Sequence, residues 1–351
     1  MVKAIDPAVR RVLRSCYSAS DMPSLRQGLL QGLRRLVPID AAFFASADPD
    51  TLLFTSAWAE EPLLRVGPQF LAHEYAETED KNRFAALARA ARPVATLDQA
   101  TRGDRTSSAR FREVLAPLGL GDEVRVALRV GTATWGFLCL HREGATSFSS
   151  HEIAVLQQVA SHGGEAIRRI VAASATITPQ VSGLTGVIVV ADARVVAVTE
   201  AAAAWLEELD GIQVRPGDPA PLSLLAAVRR LEALERGADS TSPAALKLVT
   251  RRGSLLHVHA AWLQGVGASG AIAITLASAD ASARSVMLLA AHGLTQAQRR
   301  VAALVLRGQS TKEISTELHI GEHTVQDHLK AVFEKLGVGS RRELVAALHH
   351  R

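Results

Sequence analysis

The 351-residue chain is too long for one ordinary domain, so two or three are expected. Hydrophobic residues make up 48% of it against 21% charged, which excludes a disordered chain. A net charge of only +4 excludes a charge-driven nucleic-acid coat, so any affinity for DNA has to be local.

Cys16 and Cys139 show neither CxxC spacing nor a nearby His pair, and read as free thiols in a reducing compartment. The opening MVKAIDPAVRRVLRS is charged throughout and has no apolar signal core, so a cytoplasmic protein is expected. Residues 253–279 lack Lys, Arg, Asp and Glu. They hold two His and several Gly and alternate in their front half, which predicts a β-hairpin and no membrane span.

In chain order, a leading helix is predicted over 1–20, with Val9, Val12, Leu13 and Cys16 on one face. Met22-Pro23 is expected to break it, and a second helix to run from Ser24 to Leu36. Ala41–Ala47 and Leu52–Trp58 read as strands split by the turn Asp48-Pro49-Asp50. Residues 60–120 read as helix and loop with a short strand near Pro93–Leu97, and Ala100–Ser108 as a surface loop. Glu123–Val130 and Thr134–His141 form a hairpin through Gly131-Thr132-Ala133. Ser149-Ser150-His151-Glu152 then starts a long helix to about Ile170.

This is an α+β pattern with one antiparallel sheet. WGFLCLHREGATSFSSHEIAVLQQVASHGGEAI resembles the closing part of a GAF domain, so 1–170 is taken as a GAF-like sensor domain with N-terminal helices. The resemblance implies a place for a small molecule between sheet and loops, or a dimerising surface. Trp135, Phe137, Cys139 and His141 alternate onto one strand face. Core packing is the preferred reading, over a pocket in which Cys139 or His141 touches haem or metal. His73, His151 and His162 are read the same way.

After a linker at 171–180 the pattern repeats in kind. Strands Gly186–Val190 and Arg194–Val198 precede helices at 199–209 and 222–236. Strands Ala244–Thr250, Leu255–Leu263 and Ala271–Ala277 follow, with Arg251-Arg252-Gly253 as a turn. DARVVAVTEAAAAWLEEL and RRGSLLHVHAAWLQG resemble the first hairpin and the later strands of a PAS domain, taken as 181–280. His257 and His259 share a face and are read as a cross-strand pair, not metal ligands. A helical joint is predicted at 281–292.

The final segment carries three Ser/Thr-x-x-Glu/Gln starts, at Thr295, Ser310 and Ser340, with Gly308 and Gly337 as stops. Four short helices follow: about 296–307, 311–318, 322–336 and 341–349. In the third, Val325, Leu329, Val332, Phe333 and Leu336 form one apolar stripe. His323, Asp327, Lys330 and Glu334 lie opposite, with Thr324 and Gln326 on the flanks. Only Ile320 and Gly321 separate it from the helix before, a helix-turn-helix arrangement.

LTQAQRRVAALVLRGQSTKEI and TVQDHLKAVFEKLGVGSRREL resemble the LuxR-type (FixJ/NarL-type) DNA-binding domain, over 285–351. The resemblance implies that Gln326, Asp327 and Lys330 face base edges, that Lys312 and Thr324 meet phosphates, and that the fourth helix pairs into a homodimer. This chain departs from the family pattern at Gln298 (usually Glu), Gly321 (usually Ser), Gln326 (commonly Lys) and Asp327. These changes alter the expected target sequence and leave the fold intact.

GxxxxGK[ST], GxSxG and HExxH are absent, as is the acidic pair of a phosphoacceptor domain, so no catalytic residue and no metal or cofactor is expected. The expected protein is multidomain, with two α+β sensor domains on antiparallel sheets followed by an all-α four-helix DNA reader. It is no enzyme, binds double-stranded DNA as a homodimer without a membrane partner, and takes an unidentified small molecule in its sensor half. The alternative is a ligand-binding or enzymatic protein whose carboxy-terminal helices only dimerise.

Overall fold

The computed structural model describes residues 6–75, 80–175, 185–211, 213–237, 243–250, 254–265, 270–279, 285 and 288–349. Two five-stranded antiparallel sheets with their helices are followed by an all-α carboxy-terminal domain. The chain divides into two compact units. One takes in most of both sheets, and the other the helices from residue 278 on.

The amino-terminal helix α1 (Pro7–Ser18) is capped by Asp6 and buries Val9, Val12, Leu13 and Cys16, the predicted face. The next helix, α2 (Met22–Leu33), starts earlier than predicted. Asp21 and Ser24 form a reciprocal cap, and Pro23 sits in the first turn, where a missing N–H costs nothing.

The first sheet contains β1 (Ala41–Ala47), β2 (Phe54–Ala59), β3 (Val94–Thr96), β4 (Leu120–Val130) and β5 (Ala133–Glu143), in the order β2-β1-β5-β4-β3. Phe43 pairs with Cys139 across β1–β5, and Arg125 pairs with Cys139 across β4–β5. One face is covered by α6 (Ser150–Ala175), started by Ser149 and Glu152 as predicted, with Glu152 accepting from the Ser149 N–H at 2.7 Å. At Gly164 a Cβ would stand 2.7 Å from the Arg129 backbone nitrogen, so only glycine lets the helix come this close to β4. Arg169 of the same helix donates to the carbonyls of Cys16 and Ala19 at the end of α1.

On the other face, Phe43, Phe54, Phe70, Phe84 and Phe137 form one ring cluster. They draw on α3 (Gly67–Tyr75) and α4 (Phe84–Arg89) and leave a cavity of only about 10 Å³ beside Phe43, Phe70 and Leu71. Trp135, Phe137, Cys139 and His141 are all buried.

One sequence expectation fails in this part of the chain and one holds only in part. The predicted surface loop 100–108 is exposed at 102–104, 106 and 107. It begins inside α5 (Leu97–Thr101), however, and Arg105 donates to Asp98 at 2.8 Å, Gly121 O at 2.7 Å and Ser147 Oγ at 2.6 Å. Gly121 and Ser147 are distant in the chain, so local composition does not reveal them. Asp48 accepts from the Lys247 N–H at 3.1 Å, and Asp50 pairs with Lys247 Nζ at 3.2 Å. The lone histidines are not core residues. His73 pairs with Glu113 at 3.2 Å, His162 bonds the Tyr17 hydroxyl at 2.6 Å, and His151 is exposed.

The second sheet contains β6 (Gly186–Ala191), β7 (Arg194–Val198), β8 (Ala245–Val249), β9 (Leu255–Trp262) and β10 (Ile272–Ser278). Its order, β7-β6-β10-β9-β8, repeats that of the first. Asp192 and Ala193 make the β6–β7 turn, both at positive φ. Between β7 and β8 run α7 (Glu200–Asp210), capped by Thr199 and ended by Gly211 at φ 70°, and α8 (Leu222–Glu235). His257 and His259 both lie on the exposed side of β9. The predicted turn 251–253 and parts of the predicted stretches 171–180 and 281–292 lie outside the described residues. Among the described residues no helix is long and apolar enough to cross a membrane.

The last domain contains α9 (Gln296–Leu306), α10 (Thr311–Leu318), α11 (Glu322–Leu336) and α12 (Arg341–His349). They close around Val301, Val305, Ile314, Val325, Val332 and Leu344, each no more than 3% exposed.

Candidate nucleic-acid interface

The geometry of the carboxy-terminal domain follows from its caps. Thr295 with Gln298, and Ser310 with Glu313, each form the reciprocal cap read from the sequence. Hydrogen bonds from the Ser310 N–H hold the Glu313 carboxyl below its ordinary range. The third start differs: Glu343 accepts from the Gly339 N–H at 2.8 Å and from the Ser340 hydroxyl at 3.1 Å, so its carboxylate reaches one residue further back. Gly308 and Gly337 take the left-handed conformation (φ 83° and 67°) that ends a helix.

The turn between α10 and α11 falls where the sequence ends the earlier helix, near His319. His319 ends α10 at φ 53°, and Ser315 Oγ donates to Ile320 O at 2.6 Å. No glycine marks this stop, so only the shortness of the interval between two helical patterns hints at it. Gly321 then starts α11 without a side-chain cap.

On α11 the predicted division of faces is present. Val325, Leu329 and Val332 are buried, and Phe333 and Leu336 are half-buried against the same core. Thr324, Gln326, Asp327 and Lys330 are exposed, as is Lys312 on α10. Thus the five residues singled out from the sequence all reach solvent, four of them on one helix. Among the described residues no hydrogen bond or ion pair engages the ammonium of Lys312 or Lys330. Gln326 and Lys330 border a shallow depression with Thr311 and Arg341.

Two other basic residues are engaged inside the domain. Lys335 Nζ donates to Gly293 O and Gln298 Oε1, both at 2.9 Å. Arg341 donates to Gln309 O at 2.8 Å and Thr311 Oγ1 at 2.9 Å. From 292 to 348 eight Lys/Arg stand against six Asp/Glu, and α11 itself carries Glu322, Asp327 and Glu334. The exposed face is therefore mixed in sign, suited to donor and acceptor contacts more than to bulk attraction of phosphate.

Comparison with known proteins places these features in context. Residues 292–348 match the family model for bacterial regulatory proteins, luxR family, and residues 21–167 match the GAF domain model. The spore germination protein GerE of Bacillus subtilis is 42% identical over 55 residues, which is 16% of this chain and 74% of that protein. The tetrathionate response regulatory protein TtrR of Salmonella typhimurium is 38% identical over 73 residues, 21% of this chain and 35% of that one. An HTH-type transcriptional regulator of Mycobacterium bovis is 38% identical over 85 residues, 24% of this chain, and the chain spans only 10% of that relative's length. With its carboxy-terminal domain built as described and three-quarters of GerE matched, the chain belongs to the luxR family of bacterial regulatory proteins.

Proposed function

We propose that this protein is a cytoplasmic transcription regulator that binds double-stranded DNA as a homodimer through α11, under the control of its amino-terminal half. The observation that carries the reading is the division of α11: Val325, Leu329 and Val332 anchor it, while Thr324, Gln326, Asp327 and Lys330 stand exposed. A helix held this way fits a major groove. In this reading Gln326 suits an adenine edge, Asp327 accepts from a cytosine amine, and Lys330 meets guanine or phosphate. Lys312 and Thr324 fix the register on phosphates. The fourth helix, α12, supplies the dimer contact.

The sensor half comprises a GAF-like domain over 1–170 and a PAS-like domain over 181–280, joined to a reader over 285–351. The PAS-like reading is supported by the order of elements: two strands, two helices, three strands. A small-molecule signal acts on this half, and the chemistry of the protein is binding.

The test is selection of DNA sequences from a random pool by the full chain, followed by anisotropy titration of the selected duplex. A selected site bound at least about a thousandfold more tightly than random duplex is expected. Equal affinity for both, or no binding at moderate salt, overturns the reading.

A further inference from the structure

The inner face of the first sheet holds a polar cluster that the DNA-binding reading does not use. Glu123 on β4 lies directly opposite His141 on β5, and Cys139 lies two residues from His141 on the same face. All three are 0% exposed. One carboxylate oxygen, one thiol sulfur and one ring nitrogen lie within 4.8 Å of one another. Cys139 Sγ donates to Glu123 Oε1 at 3.2 Å.

Two observations distinguish this cluster from ordinary packing. Neither ring nitrogen of His141 has a hydrogen-bond partner among the described residues, although the ring is fully buried. A buried imidazole without partners is costly and calls for a ligand. Further, the arginines hold Glu123 by one oxygen only. Its Oε2 is 2.6 Å from Arg110 and 3.0 Å from Arg125, which leaves Oε1 facing Cys139 and His141.

The charge count points the same way. Glu74, Asp80 and Glu123 are paired with Arg110 and Arg125 in the same buried network. Three carboxylates against two guanidiniums leave one negative charge in a place where an unbalanced charge is costly. A divalent cation that displaces the Cys139 proton to solvent brings that count to zero.

We propose that Glu123, Cys139 and His141 form a binding site for a borderline divalent transition-metal ion of the zinc type. One sulfur, one nitrogen and one oxygen ligand suit such an ion and disfavour magnesium or calcium, which take oxygen donors. Metal–ligand bonds of roughly 2.0–2.3 Å set ligand atoms about 3.3–3.7 Å apart, so side-chain movement of about 1 Å closes the site. Three protein ligands leave a fourth position for water or a small exogenous ligand. Arg110 and Arg125 orient the carboxylate from behind.

Cobalt(II) is the probe, because its bond to a thiolate absorbs light where the metal-free protein does not. Full-length protein produced in cobalt-supplemented medium and desalted is expected to retain about one equivalent and to show this band. Cys16→Ala serves as a control that keeps both, since Cys16 is the other buried thiol, on α1. In Cys139→Ala and His141→Ala, each confirmed folded by circular dichroism, retained cobalt falls about tenfold or more. X-ray absorption of the wild-type protein, which needs no variant to fold, shows one sulfur and otherwise nitrogen and oxygen around the metal. No retained metal, no sulfur neighbour, or a band that survives Cys139→Ala overturns the proposal.

Discussion

Arg341 reaches back from the start of α12 to Thr311, the first residue of α10, with its guanidinium 2.9 Å from the threonine hydroxyl and 2.8 Å from Gln309 O. One side chain thus ties the start of the fourth helix of the reader domain to the start of its second. Arg341→Ala is expected to cost about 1–2 kcal/mol, two hydrogen bonds of ordinary net worth at a half-buried site. Thermal unfolding of the full chain, followed by circular dichroism, checks this.

Lys330 and Lys335 lie on one helix but are predicted to do different work. Lys335 is tied to Gly293 and Gln298, whereas Lys330 is exposed. Lys330→Ala is expected to lower the slope of log affinity against log salt by about one if the contact is to phosphate. If Lys330 reads guanine, discrimination at one base pair falls instead by about 1–3 kcal/mol. Lys335→Ala leaves the salt slope unchanged and lowers the melting temperature. Anisotropy titrations at several salt concentrations separate the two residues, and a Lys330→Ala protein with unaltered affinity and selectivity refutes the assignment.

Gly164→Ala introduces a methyl group 2.7–2.9 Å from the backbone of Leu128 and Arg129. Backbone cannot rotate away as a side chain can, so α6 has to lift from β4. A loss of about 1–3 kcal/mol is expected in chemical denaturation. Gly144→Ala, where a Cβ meets nothing within 4 Å, tests positive φ (67°) alone and should cost less than this clash.

Acid should weaken the start of α6. Burial pushes the Glu152 carboxyl up, but hydrogen bonds from Arg142 and Ser149 outweigh it and hold the group below its ordinary 4.5. A carboxyl lowered in the folded state stabilises the protein above its unfolded value. That contribution is lost as pH falls below about 4.5 and through the lower folded value. Glu152→Gln should flatten this acid arm and, at neutral pH, cost about 1.5–3 kcal/mol through the weakened bond to Arg142. Melting temperatures of both proteins measured across that range decide it.

Much of the fold was legible because its signals are local. The caps at Thr295 and Ser310 need only four residues to read, and the α11 stripe only twelve. The strands of both sheets were legible from turn residues such as Asp192. What stayed hidden depends on distant partners. Val124-Arg125-Val126 alternates like a strand wet on one side, yet Arg125 is buried against Glu74, 51 residues earlier in the chain. It also lies over the Phe84 ring at 4.2 Å. Likewise nothing near Cys139 announced Glu123, since register alone brings β4 and β5 into line. The exposure of Thr324, Gln326, Asp327 and Lys330 was legible from periodicity, whereas their roles, and the choice of Lys312, came only from resemblance.

The shared strand order has a consequence for synthesis of the chain. In each sheet the first strand pairs with the last: Phe43 with Cys139, and Ile188 with Ile274. While translation is under way, the β1–β2 hairpin emerges with one edge of β1 unpaired, and β5 is made some ninety residues later. That apolar edge is open to wrong partners in the interval. Chains released before residue 133 should therefore aggregate, while those ending after the first sheet closes should not.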